Sequence, residues 1–289
     1  MLFDAFIAPF LEFAFMRRAL VAALALALGC APVGVFLILR RMSLIGDAMS
    51  HAILPGAAIG YLLAGLSIPA MALGGVAAGL LTAIAAVFAS RLTVLREDAT
   101  FAAFYLISLA AGVLIVSMHG SNIDLMHVLF GSVLGVDDTA LIIVAAIATV
   151  SMATIAVLFR PLVVECFDPE FLRAVGGPSA RIHAVFVVLV VVNLVASFQA
   201  LGTLMAVGLM MLPAAAARFW TRGVAPLIAL AVALALASGY LGLVLSFAFD
   251  LPSGPAIVLT AGAIYVASLL GGLEGGLASR LVPRRHLEA

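Results

Sequence analysis

Lysine is absent from this 289-residue chain: all fourteen basic side chains are arginine. A G-x-x-x-x-G-K-[ST] loop needs its lysine to reach phosphates, so the sequence carries no nucleotide site of that kind. A lysine Schiff base is excluded with it. Cysteine is nearly absent too. Cys30 and Cys166 stand far apart with no second thiol near either, which leaves no disulfide framework and no Cys-rich metal site. Charged residues make up only 10% and balance to zero, so no basic field invites nucleic acid. Also missing are H-E-x-x-H and any nucleophile with a base close in sequence, which argues against a membrane enzyme.

What is present is apolar. The chain is 66% hydrophobic, with a mean hydropathy of +1.32. Soluble domains run at about 45–50% apolar, and the surplus here is solvated only by lipid. A spanning helix needs about 20 mostly apolar residues. Such runs occur at Ala19 to Leu39, Ser43 to Gly65, Pro69 to Ala89, Thr100 to Ser117, Thr139 to Phe159, His183 to Gln199, Leu201 to Ala217, Ala225 to Phe249 and Pro255 to Leu270. Only Ala200 and Gly202 suggest a turn between the sixth and seventh, so the reading is eight or nine transmembrane helices, nine preferred. The runs are too long for barrel strands. The expected fold is all-α, a polytopic membrane helix bundle, with residues 1–289 forming a single transmembrane domain. Gly74, Gly75 and Gly79 are expected to let helix backbones approach closely.

Arginine placement sets the orientation. Arg40 and Arg41, Arg91 and Arg96, Arg160 with Arg173 and Arg181, then Arg218 and Arg222, follow the first, third, fifth and seventh runs. The alternate connections have none. The positive-inside rule then puts the N-terminus outside and, with nine spans, the C-terminus inside. Arg17 and Arg18 break this pattern. They are read as anchors of an interfacial segment, residues 1–18, whose Phe3 to Met16 stretch is interrupted by Asp4, Pro9 and Glu12 and does not read as a cleavable signal.

Ionisable residues inside spans mark pathways by default. One cluster qualifies: Asp47 and His51 in SLIGDAMSHAILPG, four apart and so on one helix face. A carboxylate and an imidazole on adjacent turns make half of a metal site. The alternative is a local hydrogen bond that neutralises both for burial. Two ligands hold a divalent ion poorly, so the metal reading needs a second copy facing the first across a two-fold axis. Pro55 removes the helical partner of the His51 carbonyl. In the outer connection His119, Asp124 and His127 could collect a cation arriving from outside, although solvated loop residues are the plainer reading. Asn193 and Gln199 are expected to hydrogen-bond between helices, His183 to meet a headgroup or partner, and Asp250 to sit in a turn.

The inner connection, residues 160–182, contains Asp168-Pro169-Glu170, which has the form of a capped helix start, and Gly176-Gly177-Pro178, which stops it. By itself this short helix reads as an ordinary linker more readily than as a grip for a cytoplasmic subunit.

RRMSLIGDAMSHAILPGAAIGY (Arg40 to Tyr61) resembles the second-span motif of the membrane permease subunits of bacterial ABC importers for zinc, manganese or iron(II). NIDLMHVLFGSVLGV, ALGTLMAVGLMMLPAAAARF and FDLPSGPAIVL resemble further segments of that family in the same order. The resemblance implies a multi-pass permease of the bacterial cytoplasmic (inner) membrane, without enzymatic activity or resident cofactor, that transports a divalent metal, zinc placed first. It implies as partners a second permease copy, two cytoplasmic ATP-binding subunits and an extracytoplasmic metal-binding protein. It makes Asp47 and His51 metal ligands, and it turns the linker into an ATPase-coupling element carried by Asp168, Glu170, Phe171 and Arg173. An ion-gradient-driven secondary transporter is the alternative, but no second-half segment repeats GDAMSH.

Overall fold

The computed structural model describes residues 6–65, 67–118 and 138–277, which form helices and connections without strands. In chain order the helices are α1 (Ala8–Glu12), α2 (Ala14–Leu39), α3 (Ser43–Ala52), α4 (Leu54–Ala64), α5 (Ile68–Leu92), α6 (Glu97–Met118), α7 (Asp138–Val157), α8 (Phe159–Phe167), α9 (Pro169–Ala174), α10 (Ser179–Leu201), α11 (Thr203–Ala217), α12 (Val224–Ala248) and α13 (Ser253–Gly271). Among the described residues, seven of these are long and apolar enough to cross a membrane: α2, α5, α6, α7, α10, α12 and α13. α11 is apolar but shorter. The second expected span is divided between α3 and α4.

Each departure from a simple row of spans has a local cause. Pro55 lacks the N–H that would continue α3 and instead occupies the first turn of α4. Gly202, at φ +85°, takes a backbone conformation that side chains disfavour and separates α10 from α11. α2 ends in a Schellman turn: Met42 N–H donates to Leu37 O, Arg41 N–H to Ile38 O, and Arg41 itself is left-handed at φ +58°. Asp250, also left-handed, forms the turn expected of it after α12, with Leu251 N–H donating to Ser246 O.

α2 is the hub. Its alanines, Cys30 and Gly34 give it a narrow profile, and α7, α10, α11, α12 and α3 all pack on it. A side chain at Gly34 would overlap the Met210 carbonyl of α11. Gly74 lies against Gly56 of α4, while Gly75 and Gly79 take up Ile53, Val195 and Val191, so the small residues of α5 do admit close neighbours. Asn193 is buried on α10 and donates from Nδ2 to Ser151 Oγ of α7 at 2.7 Å, the interhelical bond expected of it. The side chain of Gln199 lies outside the described residues.

At the N-terminal end Phe10 stacks on Tyr240, Tyr240 Oη–H donates to Phe6 O, and Arg17 reaches Leu11 O. Arg18 pairs with Asp138 at the start of α7 at 3.0 Å. Arg18 thus has a partner in the bundle as well as any role at the interface. Residues 119–137 of the outer connection lie outside the described residues.

Candidate functional site

Asp47 and His51 sit on α3, between the Schellman turn that ends α2 and the break before Pro55. The other faces of α3 are covered by α6, α10 and α11, and Ile45, Gly46, Ala48, Met49 and Ala52 are buried there. Leu44, Asp47 and His51, at i, i+3 and i+7, form the uncovered stripe. Asp47 is 63% exposed and His51 29%. Asp47 Oδ1 and His51 Nε2 are 3.8 Å apart, beyond hydrogen-bond range. A shared metal at ordinary Zn–N and Zn–O lengths would hold such atoms about 3.0–3.4 Å apart, which a small side-chain rotation supplies. The expected helical register is therefore present, and the local hydrogen bond is not.

The break beside the pair is braced by α6. Ser108 Oγ–H donates to the Ala52 carbonyl at 2.9 Å, capping an acceptor that the break frees. The Tyr105 ring faces the His51 imidazole with centroids 6.4 Å apart, and Gly112 lets α6 approach Pro55. Among the described residues no three His, Cys, Asp or Glu side chains come together as a metal site. Asp47 and His51 thus stand as a pair among the described residues. His119, Asp124 and His127 lie outside the described residues.

The inner connection folds as two short helices, α8 and α9. Asp168 caps α9 by accepting from Phe171 N–H at 2.8 Å, and Pro169 follows at the first helical position. A second Schellman turn ends α9: Gly177 N–H donates to Leu172 O, Gly176 N–H to Arg173 O, and Gly176 is at φ +74°. Glu170 and Arg173 are exposed and 3.9 Å apart. Phe171 is exposed, and Phe167 and Val175, four residues to either side, are exposed with it. The sequence reading picked out Phe171 and missed its two neighbours. Their spacing of four in a polar connection was the available signal. Phe167 ends α8, Phe171 lies on α9 and Val175 caps it, so these three exposed apolar side chains come from two short helices outside the spans.

His183 corrects the sequence reading. It is 7% exposed and does not face a headgroup: Nε2 lies 3.0 Å from Glu97 Oε1, at the start of α6. Beside it Arg40 donates from Nη2 to Glu165 Oε1 at 3.3 Å and lies over the Phe186 ring, 5.1 Å from its centroid. Glu165 Oε2 has no hydrogen-bond partner among the described residues. On the same helix, burial pushes the Cys166 thiol up to about 11, with Arg40 opposing and Glu165 reinforcing the shift. Neither Glu97 nor Glu165 stood out in the sequence, because the partner of each lies more than eighty residues away.

Residues 12–272 match the model of the ABC 3 transport family. The chain is 32% identical over 271 residues to the manganese transport system membrane protein MntC of Halalkalibacterium halodurans, covering 93% of this chain and 91% of that protein. It is 30% identical over 270 residues to the chelated iron transport system membrane protein YfeD of Yersinia pestis, covering 93% and 89%. Among solved structures it resembles PsaBC from Streptococcus pneumoniae in complex with Fab, with a TM-score of 0.85, 30% identity, and coverage of 98% of this chain and 100% of the other.

Proposed function

This chain belongs to the ABC 3 transport family, and from that premise we propose that it is the permease through which a divalent transition metal enters a bacterial cytoplasm, driven by a separate ATPase. The observation that carries the reading is the Asp47–His51 pair, the exposed stripe of an otherwise covered helix at a break in an apolar segment. An ionised carboxylate facing lipid is costly, so this face meets water, cargo or protein. A second copy across a two-fold axis supplies a second Asp and a second His, a set of four N and O ligands.

Asp/His sets accept manganese, iron(II) and zinc. The relatives are named for manganese and chelated iron, which supports placing those two ahead of zinc, the metal that the sequence reading put first. The Phe167, Phe171 and Val175 row supports a docking surface for an ATPase, and a metal-binding protein on the outer face completes the assembly. With α3 and α4 as one crossing, the helices are consistent with nine, the N-terminus outside. The test is uptake by vesicles holding the whole complex, with manganese, iron(II) and zinc in competition. ATP-dependent manganese or iron uptake is expected. Uptake driven by an ion gradient without ATP would favour the secondary-transporter reading instead.

A further inference from the structure

We propose that Arg40 and His183 are positioning residues that carry movement of α9 to the Asp47–His51 face through two buried polar contacts, one on each flank of α9. This rests on the permease reading above. α9 is joined to α8 through its Asp168 cap and to α10 through a Schellman turn in which Gly177 packs directly on Leu172. A push on α9 is therefore handed to α8 and α10 with little slack.

Each neighbour has one buried polar contact leading inward. On α8, Glu165 holds Arg40, the two side chains being 5% and 10% exposed. Arg40 ends α2, and the rigid turn through Arg41 and Met42 leads straight into α3, which bears the pair. On α10, His183 Nε2 lies 3.0 Å from Oε1 of Glu97, the first residue of α6, an oxygen that is buried and has no well-aligned hydrogen bond among the described residues. α6 in turn supplies Ser108 to the Ala52 carbonyl and Tyr105 to the His51 ring. The two contacts thus end on the two helices that frame the site.

The contacts are poorly made as staples. Glu165 Oε2 is buried with no partner among the described residues, and a buried pair left half-satisfied is weak support for a fold. They are better made as a linkage with two settings. Arg40 has one 3.3 Å contact to Glu165 on α8 and lies over the Phe186 ring of α10, so a shift of α8 can release the carboxylate while the ring still holds the guanidinium. A coupling path needs such an element, with two arrangements that both sites can bias.

The experiment uses the whole complex in proteoliposomes with Mn²⁺ as the probe. It measures Mn²⁺ taken up per ATP hydrolysed, basal ATP hydrolysis, and Mn²⁺ retained by the complex without ATP. Arg40→Gln, Glu165→Gln and His183→Gln are expected to assemble, bind Mn²⁺ and keep basal hydrolysis, while uptake per ATP falls about tenfold. The reversed pair Arg40→Glu with Glu165→Arg is expected to regain part of that loss, and Arg40→Gln with Glu165→Gln to be no worse than either alone. A merely structural role would lower assembly and leave the ratio in the surviving complex unchanged. If Arg40→Gln fails to assemble, Arg40→Lys, which keeps the charge and loses the fork, must still lower the ratio. Variants with the unmodified ratio overturn the inference. An unmodified complex that moves no Mn²⁺, Fe²⁺ or Zn²⁺ with ATP would instead overturn the permease reading.

Discussion

Gly56 of α4 and Gly74 of α5 meet backbone to backbone, each occupying the space where the other's Cβ would lie against a carbonyl. Gly60 makes the same kind of approach to Ala70 one turn on. Without water inside the bilayer, helix association depends on such close packing rather than on the hydrophobic effect. Gly56→Val is expected to separate α4 from α5, costing about 1–3 kcal/mol or more from overpacking, with a loss of folded protein after detergent extraction. A thermal unfolding midpoint equal to that of the unmodified protein would show that the crossing contributes nothing.

Asn193 and Ser151 allow a smaller effect to be measured. Ser151→Ala removes the acceptor but leaves Asn193 Nδ2 bonded to Leu189 O, so the expected cost is about 0.6 kcal/mol, the usual value for an interhelical bond in a membrane. Asn193→Leu should cost more, because it removes the bonds to both Ser151 and Leu189 and puts a bulkier methyl where Asn193 Oδ1 lies close to Gly29. Denaturant unfolding of the two variants should rank them in that order.

For the proposed ligands, Asp47→Asn removes the charge and keeps the volume. Assembled complex should lose metal uptake by an order of magnitude or more, and His51→Gln should do the same, with folding intact because neither side chain makes a hydrogen bond among the described residues. Protons compete with the metal for imidazole and carboxylate, so uptake by the unmodified complex should fall as pH drops toward roughly 6. Normal uptake by assembled Asp47→Asn complex would remove that carboxylate from the pathway.

The apolar row on α8 and α9 makes a separate prediction. Phe171→Asp places a charge in the middle of Phe167 and Val175 without touching the cap or the buried Leu172. Co-purification of the ATPase should fall by about tenfold or more, as for a desolvated aromatic anchor worth about 2 kcal/mol. Unchanged co-purification would place the ATPase on another surface.

Cys166 offers a chemical check on the α8 environment. With its thiol pushed up to about 11 by burial, the reactive thiolate is scarce at neutral pH. Alkylation should be slow at pH 7 and accelerate about tenfold per pH unit up to that value. Glu165→Gln removes a charge that raises the thiol's pKa, so it should speed the reaction at pH 8. Fast alkylation of the unmodified protein at pH 7 would mean that α8 is more open than described.

The sequence by itself determined what depends on neighbours along the chain. Apolar runs of spanning length, the break before Pro55, the Asp168 cap, the stop at Gly176-Gly177 and the shared face of Asp47 and His51 are all set within a turn or two of helix. The tertiary structure decided everything that depends on partners across the bundle. Arg40 and Glu165 are 125 residues apart, and nothing local in either segment marks the other as its counterion. His183 stands beside Arg181 in the sequence and looks like an interfacial group, yet it is buried because α6 delivers Glu97 to it. Helix face and length follow from periodicity, whereas burial of a charge follows from which helix arrives with a partner. The exposure of Asp47 belongs to the second kind: the sequence put it on a face with His51, and only the packing of α6, α10 and α11 left that face uncovered.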